Sequence, residues 1–270
     1  MNVFTAILLG LIQGLAEFLP VSSSGHLLLA ERIVGITDAS IGHFFIVLLH
    51  LGTLAAVLFV YRKRIIEMIL HPVKQWQYWI YMIAATLVTV VMALALRDVF
   101  NRAESGSILG PCFLVTAALL AVTDLLRKKA ECRVTVPTMK WYHALFIGFL
   151  QGIAPLPGVS RSGATITGAT LCRMKREDAA EFSFLLSIPA ILGGAVLEIP
   201  AALKEGVGDI SVLCCIVGVL VAAVSGYFAV KFMIRLITKR SFKGFVIYTA
   251  LLGVFVILDQ LVFHLIDWGF

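Results

Sequence analysis

QGLAEFLPVSSSGH (Gln13 to His26) recurs 138 residues later as QGIAPLPGVSRSGA (Gln151 to Ala164), and no gap is needed to align the copies. The match extends over 22 residues, Ala6–Leu27 against Ala144–Thr165. Gly10/Gly148, Gln13/Gln151, Gly14/Gly152, Ala16/Ala154, Val21/Val159, Ser22/Ser160, Ser24/Ser162 and Gly25/Gly163 are identical. The differences carry the chemistry. The first copy holds Glu17, Ser23 and His26, and at the place of Ser23 the second holds Arg161. Two related apolar segments, each interrupted by Pro and Gly, point to a site at the repeat interface of a membrane protein.

Composition agrees. Of 270 residues, 60% are hydrophobic and only 14% charged, with a mean hydropathy of +0.98. Six stretches approach the ~20 apolar residues that a bilayer crossing needs: Ile41–Tyr61, Trp76–Leu96, Ile108–Leu126, Phe182–Pro200, Ile210–Val230 and Phe245–Ile266. The net charge of +6 does not mark a nucleic-acid binder, because the basic residues sit in short loops between these spans. The five cysteines form no CxxC pair, so neither a disulfide framework nor a zinc site is indicated. The apolar start, Val3–Leu15, resembles a signal peptide. However, no Lys or Arg precedes Arg32 and the segment recurs in mid-chain, so it is expected to belong to the mature protein.

Loop charge gives an orientation, since Lys and Arg concentrate on the cytoplasmic side. With an outer N-terminus and six crossings, seventeen of the twenty-two basic residues fall inside, and both termini lie outside. Three spans separate the motif copies, so the second copy is expected to be inverted. The offset continues past the motif, with Phe44/Phe182, Leu48/Leu186 and Leu54/Leu192 still matching. Ala6–Leu19 and Ala144–Leu156 are too short and too interrupted to cross, and are read as re-entrant helices meeting near mid-membrane. Irregular backbone is tolerated there only when covered by protein or lining a wet cavity. The expected fold is an all-α polytopic membrane protein with about six transmembrane helices and two re-entrant segments. It forms one domain over residues 1–270, with inverted repeats at about 1–126 and about 141–266.

In the first copy, Pro20 ends the re-entrant helix. The run VSSSG (Val21 to Gly25) then supplies hydroxyls where the next helix begins, and the free N–H groups of a helix start suit a phosphate. Ser23 and His26, three apart, share a helix face, so the imidazole is expected to reach the hydroxyl or an oxygen near it. The bland alternative is a Ser-rich cap with a solvent-facing histidine. An acidic side chain in an apolar setting costs about 2.5–3.5 kcal/mol or more, which weighs for function at Glu17. In the second copy, PGVSRSGAT (Pro157 to Thr165) sets Arg161 between serines, and its planar fork matches two phosphate oxygens. Its bland role is an ion pair with Glu17 that only locks the segments together. Candidate substrate contacts are Gln13, Ser22, Ser24, Gln151, Ser160, Ser162 and Thr165.

EFLPVSSSGH (Glu17 to His26) and PGVSRSGAT (Pro157 to Thr165) resemble the two signature motifs of the bacterial undecaprenyl-diphosphatase family, the one linked to bacitracin resistance. The resemblance spans nearly the whole chain, including FSFLLSIP (Phe182 to Pro189). It implies a multi-pass enzyme of the bacterial plasma (inner) membrane that removes the terminal phosphate of undecaprenyl diphosphate, regenerating the carrier of cell-wall precursors. The family's functional positions fall on Glu17, Ser23, His26 and Arg161, with Gln13 where many members have Glu. That departure leaves one carboxylate fewer for a divalent cation, Mg or Ca, which Glu17 would help hold. By this likeness the site opens to the outer face.

The preferred chemistry has Arg161 and backbone N–H groups holding the terminal phosphate, Ser23 attacking phosphorus or orienting water, and His26 moving protons. Glu17 orients His26 or Ser23, or helps hold a metal ion. The partners are a polyprenyl diphosphate and membrane lipids, without nucleic acid; a homodimer is left open. No organic or nucleotide cofactor is implied, because no phosphate-cradling loop ending in Lys and Ser or Thr occurs. A lipid flippase or transporter using the same inverted-repeat site is the rival, and a lipid kinase a weaker third. His43 and His50, seven apart on one face, are explained equally well by helix–helix hydrogen bonding and stay outside the site. Glu198 and Asp259 are read as structural, and Trp76, Tyr78, Trp79 and Tyr81 as an interfacial belt.

Overall fold

The computed structural model describes residues 1–34, 39–129, 133–205 and 210–268. Cys132 and the side chains of His43 and Glu198 lie outside the described set. The architecture is all-helical: α1 Val3–Phe18, α2 Ser23–Val34, α3 Ala39–Val60, α4 Arg62–Leu70, α5 Trp76–Ala95, α6 Arg97–Ala103, α7 Leu109–Lys129, α8 Trp141–Gly152, α9 Arg161–Leu171, α10 Arg176–Glu205, α11 Val212–Lys239 and α12 Lys243–Leu258. Among the described residues five helices are long and apolar enough to cross a membrane, six if α3 and α4, bent by 72° at their junction, are counted as one span. Outward faces are apolar. Ile80, Ile83, Leu87, Val91 and Leu94 of α5 are exposed, as are Ile247, Leu251, Val254 and Leu258 of α12. Such faces would aggregate in water and are satisfied in lipid, so the chain is a multi-pass membrane protein.

Each expected span coincides with one of these candidate helices, with shifted ends. Nothing between Arg176 and Phe182 breaks a helix, and Glu177 and Asp178 suit a helix start, so α10 begins six residues earlier than hydropathy suggests. The regular part of α12 is shorter than expected. A π-helical turn, Asp259–Phe263, follows it and ends at His264, whose φ of 49° is left-handed. Asp259 is structural, as expected: its carboxylate accepts from the Trp268 indole at 2.9 Å and the Leu265 N–H at 2.9 Å.

Five helices of the first part have counterparts in the same order in the second, α4 and α6 having none. Val3 to Trp141 and Ser23 to Arg161, the starts of α1/α8 and α2/α9, are each 138 residues apart, and α3/α10, α5/α11 and α7/α12 follow in order. Pairing follows the same exchange: α1 packs on α11 and α8 on α5, while α3 meets α10 and α7 meets α12. The glycines shared by the two motif copies make the first two pairings possible. A Cβ on Gly10 would lie 2.7 Å from the Gly218 carbonyl oxygen, and one on Gly14 would collide with Ser225. On α8, a Cβ on Gly148 would strike the Ala85 backbone and one on Gly152 would lie 2.6 Å from the Met92 sulfur. Small residues four apart let helix backbones touch where lipid offers no hydrophobic drive, so the repeated Gly-x-x-x-Gly is a packing device.

The aromatic cluster at the start of α5, expected as an interfacial belt, is also tied to neighbouring elements. Trp76 is exposed, but the Tyr78 hydroxyl donates to Glu181 Oε1 at 2.8 Å, Tyr81 to the Met139 carbonyl at 2.6 Å and Trp79 to the Met68 carbonyl at 3.3 Å. Arg64 completes the knot through Glu181 at 2.9 Å and Glu67 at 3.0 Å. Amphipathic rings serve either purpose.

Candidate active site

Each half contributes a helical hairpin, α1–α2 and α8–α9, and the two tips touch. Pro20 stops α1 two residues after its last helical residue, since a proline cannot continue the i to i−4 ladder. Pro155 and Pro157 follow α8, which ends at Gly152 rather than near Leu156, because residues before proline avoid the helical region. The Gly158 N–H donates to Ser22 Oγ at 3.1 Å, and the Ser162 hydroxyl to the Leu19 carbonyl at 3.2 Å. Gly158 holds φ at +97°, and a Cβ there would lie 2.7 Å from that of Cys112. Thr116 of α7 clamps the second tip, donating to the Gly158 carbonyl at 2.7 Å and accepting from the Ser160 N–H at 2.9 Å.

Glu17 and Arg161 meet across this contact. Arg161 Nη2 donates to Glu17 Oε1 at 2.7 Å, with the Glu17 side chain 6% exposed and the Arg161 side chain 13%. Glu17 Oε2 accepts from the Ser23 hydroxyl at 2.6 Å and from Gln13 Nε2, one turn earlier on α1, at 3.1 Å. Both carboxylate oxygens are therefore engaged, while Arg161 Nη1 is buried without a hydrogen-bond partner. A buried guanidinium N–H left unpaired is costly, and the group that satisfies it must be an acceptor. Ser23 opens α2 and Arg161 opens α9, so two helix N-termini face the cluster, which suits an anion.

His26 departs from its expected place. Its Nδ1 lies 2.7 Å from the Ser22 carbonyl and its Nε2 lies 2.7 Å from the Tyr248 hydroxyl. A carbonyl only accepts, so Nδ1 carries the proton and the neutral ring's Nε2 accepts from Tyr248. The ring stacks on Tyr248, 5.7 Å between centroids, and turns its edge to Phe113. The shared helix face expected to join His26 to Ser23 is overridden by the carbonyl one turn back. Ser22 presents that carbonyl from a left-handed backbone, φ 72°.

Other candidates divide. Ser22 accepts from the Gly158 and Gly25 N–H groups and shares a hydroxyl contact with Ser24 at 3.3 Å. Ser160 is the N-cap of α9, accepting from the Gly163 N–H at 3.1 Å. Thr165 turns back to the Arg161 carbonyl and to Ser183, at 2.6 Å. Gln151 donates to Thr89 of α5 at 3.0 Å, an α8–α5 contact and not part of the Glu17–Arg161 cluster. Tyr248, Thr116 and His50, whose Nε2 lies 3.8 Å from Glu17 Oε2, adjoin the candidate residues without being candidates themselves. Of these only His50 carries a signal, its seven-residue spacing from His43.

For a divalent cation the cluster offers a single carboxylate. The Glu17 oxygens are occupied by cationic and hydroxyl donors, and no group of three His, Cys, Asp or Glu that could hold a metal ion occurs among the described residues. Beside the tips lies a cavity of about 530 Å³, lined by Ile12, Leu15, Leu19 and Phe245 and by the polar side chains of His26, Ser241 and Tyr248.

Comparison with known proteins identifies the family. Residues 6–255 match the family model described as bacitracin resistance protein BacA. The chain is 42% identical to the undecaprenyl-diphosphatase of Carboxydothermus hydrogenoformans, over 96% of this chain and 98% of the relative. It is 38% identical to that of Alkaliphilus metalliredigens, over 97% of this chain and the whole relative. Identity to the Halothermothrix orenii undecaprenyl-diphosphatase is 35%, over 96% and 98%. With a family model covering nearly its full length and relatives this similar end to end, the chain belongs to the bacitracin resistance protein BacA family.

Proposed function

We propose that Arg161, Ser23 and Glu17 carry the hydrolysis of undecaprenyl diphosphate to the monophosphate and inorganic phosphate, the activity named for the relatives. The chain is a membrane-embedded phosphatase of that class, and bacitracin resistance fits the family name. One observation supports the residue assignment above others: a buried guanidinium with one N–H unpaired, beside a serine hydroxyl held by a buried carboxylate. The terminal phosphate takes the free prong of Arg161 and the N–H groups at the starts of α2 and α9. Charge on its equatorial oxygens is met by fixed donors, which is where phosphoryl-transfer catalysis mostly acts. Ser23, its proton directed at Glu17, attacks phosphorus as the prenyl monophosphate leaves. The tail lies in the apolar cavity, and His26, held by Tyr248, sits where that cavity meets the head group.

Purified protein in detergent is expected to release inorganic phosphate from a prenyl diphosphate. Detergent permits no transport, so lipid movement in vesicles without phosphate release in micelles would overturn this reading in favour of a flippase.

The orientation proposed has both termini outside, the cavity open to the outer face and one repeat inverted against the other. The unequal loop charge supports it, as does the recurrence of five helices in the same order. In a cysteine-free background, a cysteine at exposed Asn101 is expected to react with an impermeant thiol reagent on intact cells. One at exposed Lys74 is expected to stay unlabelled. The opposite pattern refutes the orientation.

A further inference from the structure

His50 belongs to neither motif copy, yet it reaches the same carboxylate oxygen as Ser23. From α3 its Nε2 lies 3.8 Å from Glu17 Oε2, and its side chain is 26% exposed where that of Glu17 is 6%. Its Nδ1 lies 2.8 Å from the Ile46 carbonyl. That carbonyl only accepts, so Nδ1 holds a proton and Nε2 is the ring nitrogen left facing Oε2. The Ser23 hydroxyl is close to the same oxygen, since its Oγ donates to Oε2 at 2.6 Å. His26 is differently placed, because its own Nε2 is already occupied by the Tyr248 hydroxyl.

We infer that His50 is the proton-carrying partner of Glu17, acting on Ser23 through that carboxylate. The inference rests on the proposed attack by Ser23. As the Oγ–P bond forms, the bridging P–O bond breaks and its electron pair leaves on the prenyl monophosphate. The Ser23 proton moves to Glu17 Oε2 and on to His50 Nε2. Water then attacks phosphorus, and the P–Oγ bond breaks with its electron pair on Oγ. His50 returns its proton to Oγ through Glu17, while the proton released by the water leaves to solvent. Glu17 ends each half-reaction as the carboxylate that pairs with Arg161. His50 is thus a positioning and relay residue, not a contact of the substrate.

The test is His50→Gln, which keeps size and hydrogen bonding but cannot carry a proton. General acid–base partners typically contribute 10²–10⁴-fold, so kcat is expected to fall about a hundredfold at unchanged KM. In His50→Ala, added imidazole is expected to recover part of kcat. A merely structural histidine would not be rescued in solution and would move KM or the yield of folded protein instead. Gln13 donates to the same Oε2, so Gln13→Glu in the His50→Gln background places a second titratable oxygen there and is expected to restore turnover in part. Wild-type kcat in His50→Gln, or a loss that neither imidazole nor Gln13→Glu relieves, overturns the relay. Wild-type protein in the same assay separates the two readings: no phosphate released by it would overturn the hydrolase assignment itself.

Discussion

Arg161→Lys is expected to lose about a hundredfold or more in kcat/KM, about 2.7 kcal/mol of transition-state stabilisation, while the protein still inserts and folds. The geometry requires two prongs. Nη2 is committed to Glu17 Oε1 at 2.7 Å, and Nη1 is buried with no partner. A guanidinium can therefore hold Glu17 and a phosphate oxygen together, in one plane, without moving. Lysine offers a single ammonium. It can remain with Glu17 and leave the phosphate under-held, or follow the phosphate and leave Glu17 and Ser23 without their anchor.

Lysine is also the variant that keeps the test clean. Removing the charge altogether, as in Arg161→Ala, strands a buried carboxylate, and breaking a buried pair in that way costs about 3–5 kcal/mol. A loss of activity would then say little about phosphate. With lysine, Glu17 keeps a cation, so an unchanged elution profile and helical content should accompany the drop in turnover. Near-normal hydrolysis by well-folded Arg161→Lys would reduce the arginine to the lock between hairpins that the sequence also allows.

The parts of the fold that follow from local rules are legible in the chain of residues itself. Hydropathy locates six spans, because a lipid-facing helix must be apolar over a fixed length. Pro20, Pro155 and Pro157 mark where two helices have to stop, and the repeat shows that the interrupted segments belong together. Glu17, Ser23 and Arg161 stand out as polar groups in an apolar setting, and the structure brings those three into contact. Direction and partner are not legible in this way. His26 turns away from Ser23 because of one backbone carbonyl and a tyrosine 222 residues further along the chain. Gln13 and Gln151 are identical in the repeat, yet Gln13 bonds Glu17 whereas Gln151 bonds Thr89, since only the first hairpin carries an acid one turn later. Repetition fixes backbone positions, and the substitutions between copies decide what each side chain meets.

Ser23→Ala should remove nearly all turnover, because no neighbouring hydroxyl can replace it. Ser22 Oγ is held at the hairpin contact by the Gly158 and Gly25 N–H groups, and Ser24 shares its contact with Ser22. Ser23 alone points its proton at Glu17. His26→Ala is expected to slow the reaction less and to be rescued in part by added imidazole, since a proton-transfer group is more replaceable than a covalent nucleophile. The imidazole's position supports this ranking. Its free nitrogen is engaged by Tyr248, so attack by His26 on phosphorus would first have to break a 2.7 Å hydrogen bond. Rapid quench distinguishes the two nucleophiles chemically: phosphoserine survives acid and is lost in base, whereas phosphohistidine does the reverse. An acid-stable adduct on Ser23 is expected. An acid-labile, base-stable adduct on His26, with turnover surviving in Ser23→Ala, would transfer the attack to the histidine. Surviving turnover with no adduct of either kind would make water the nucleophile, with Ser23 and Glu17 left to position it.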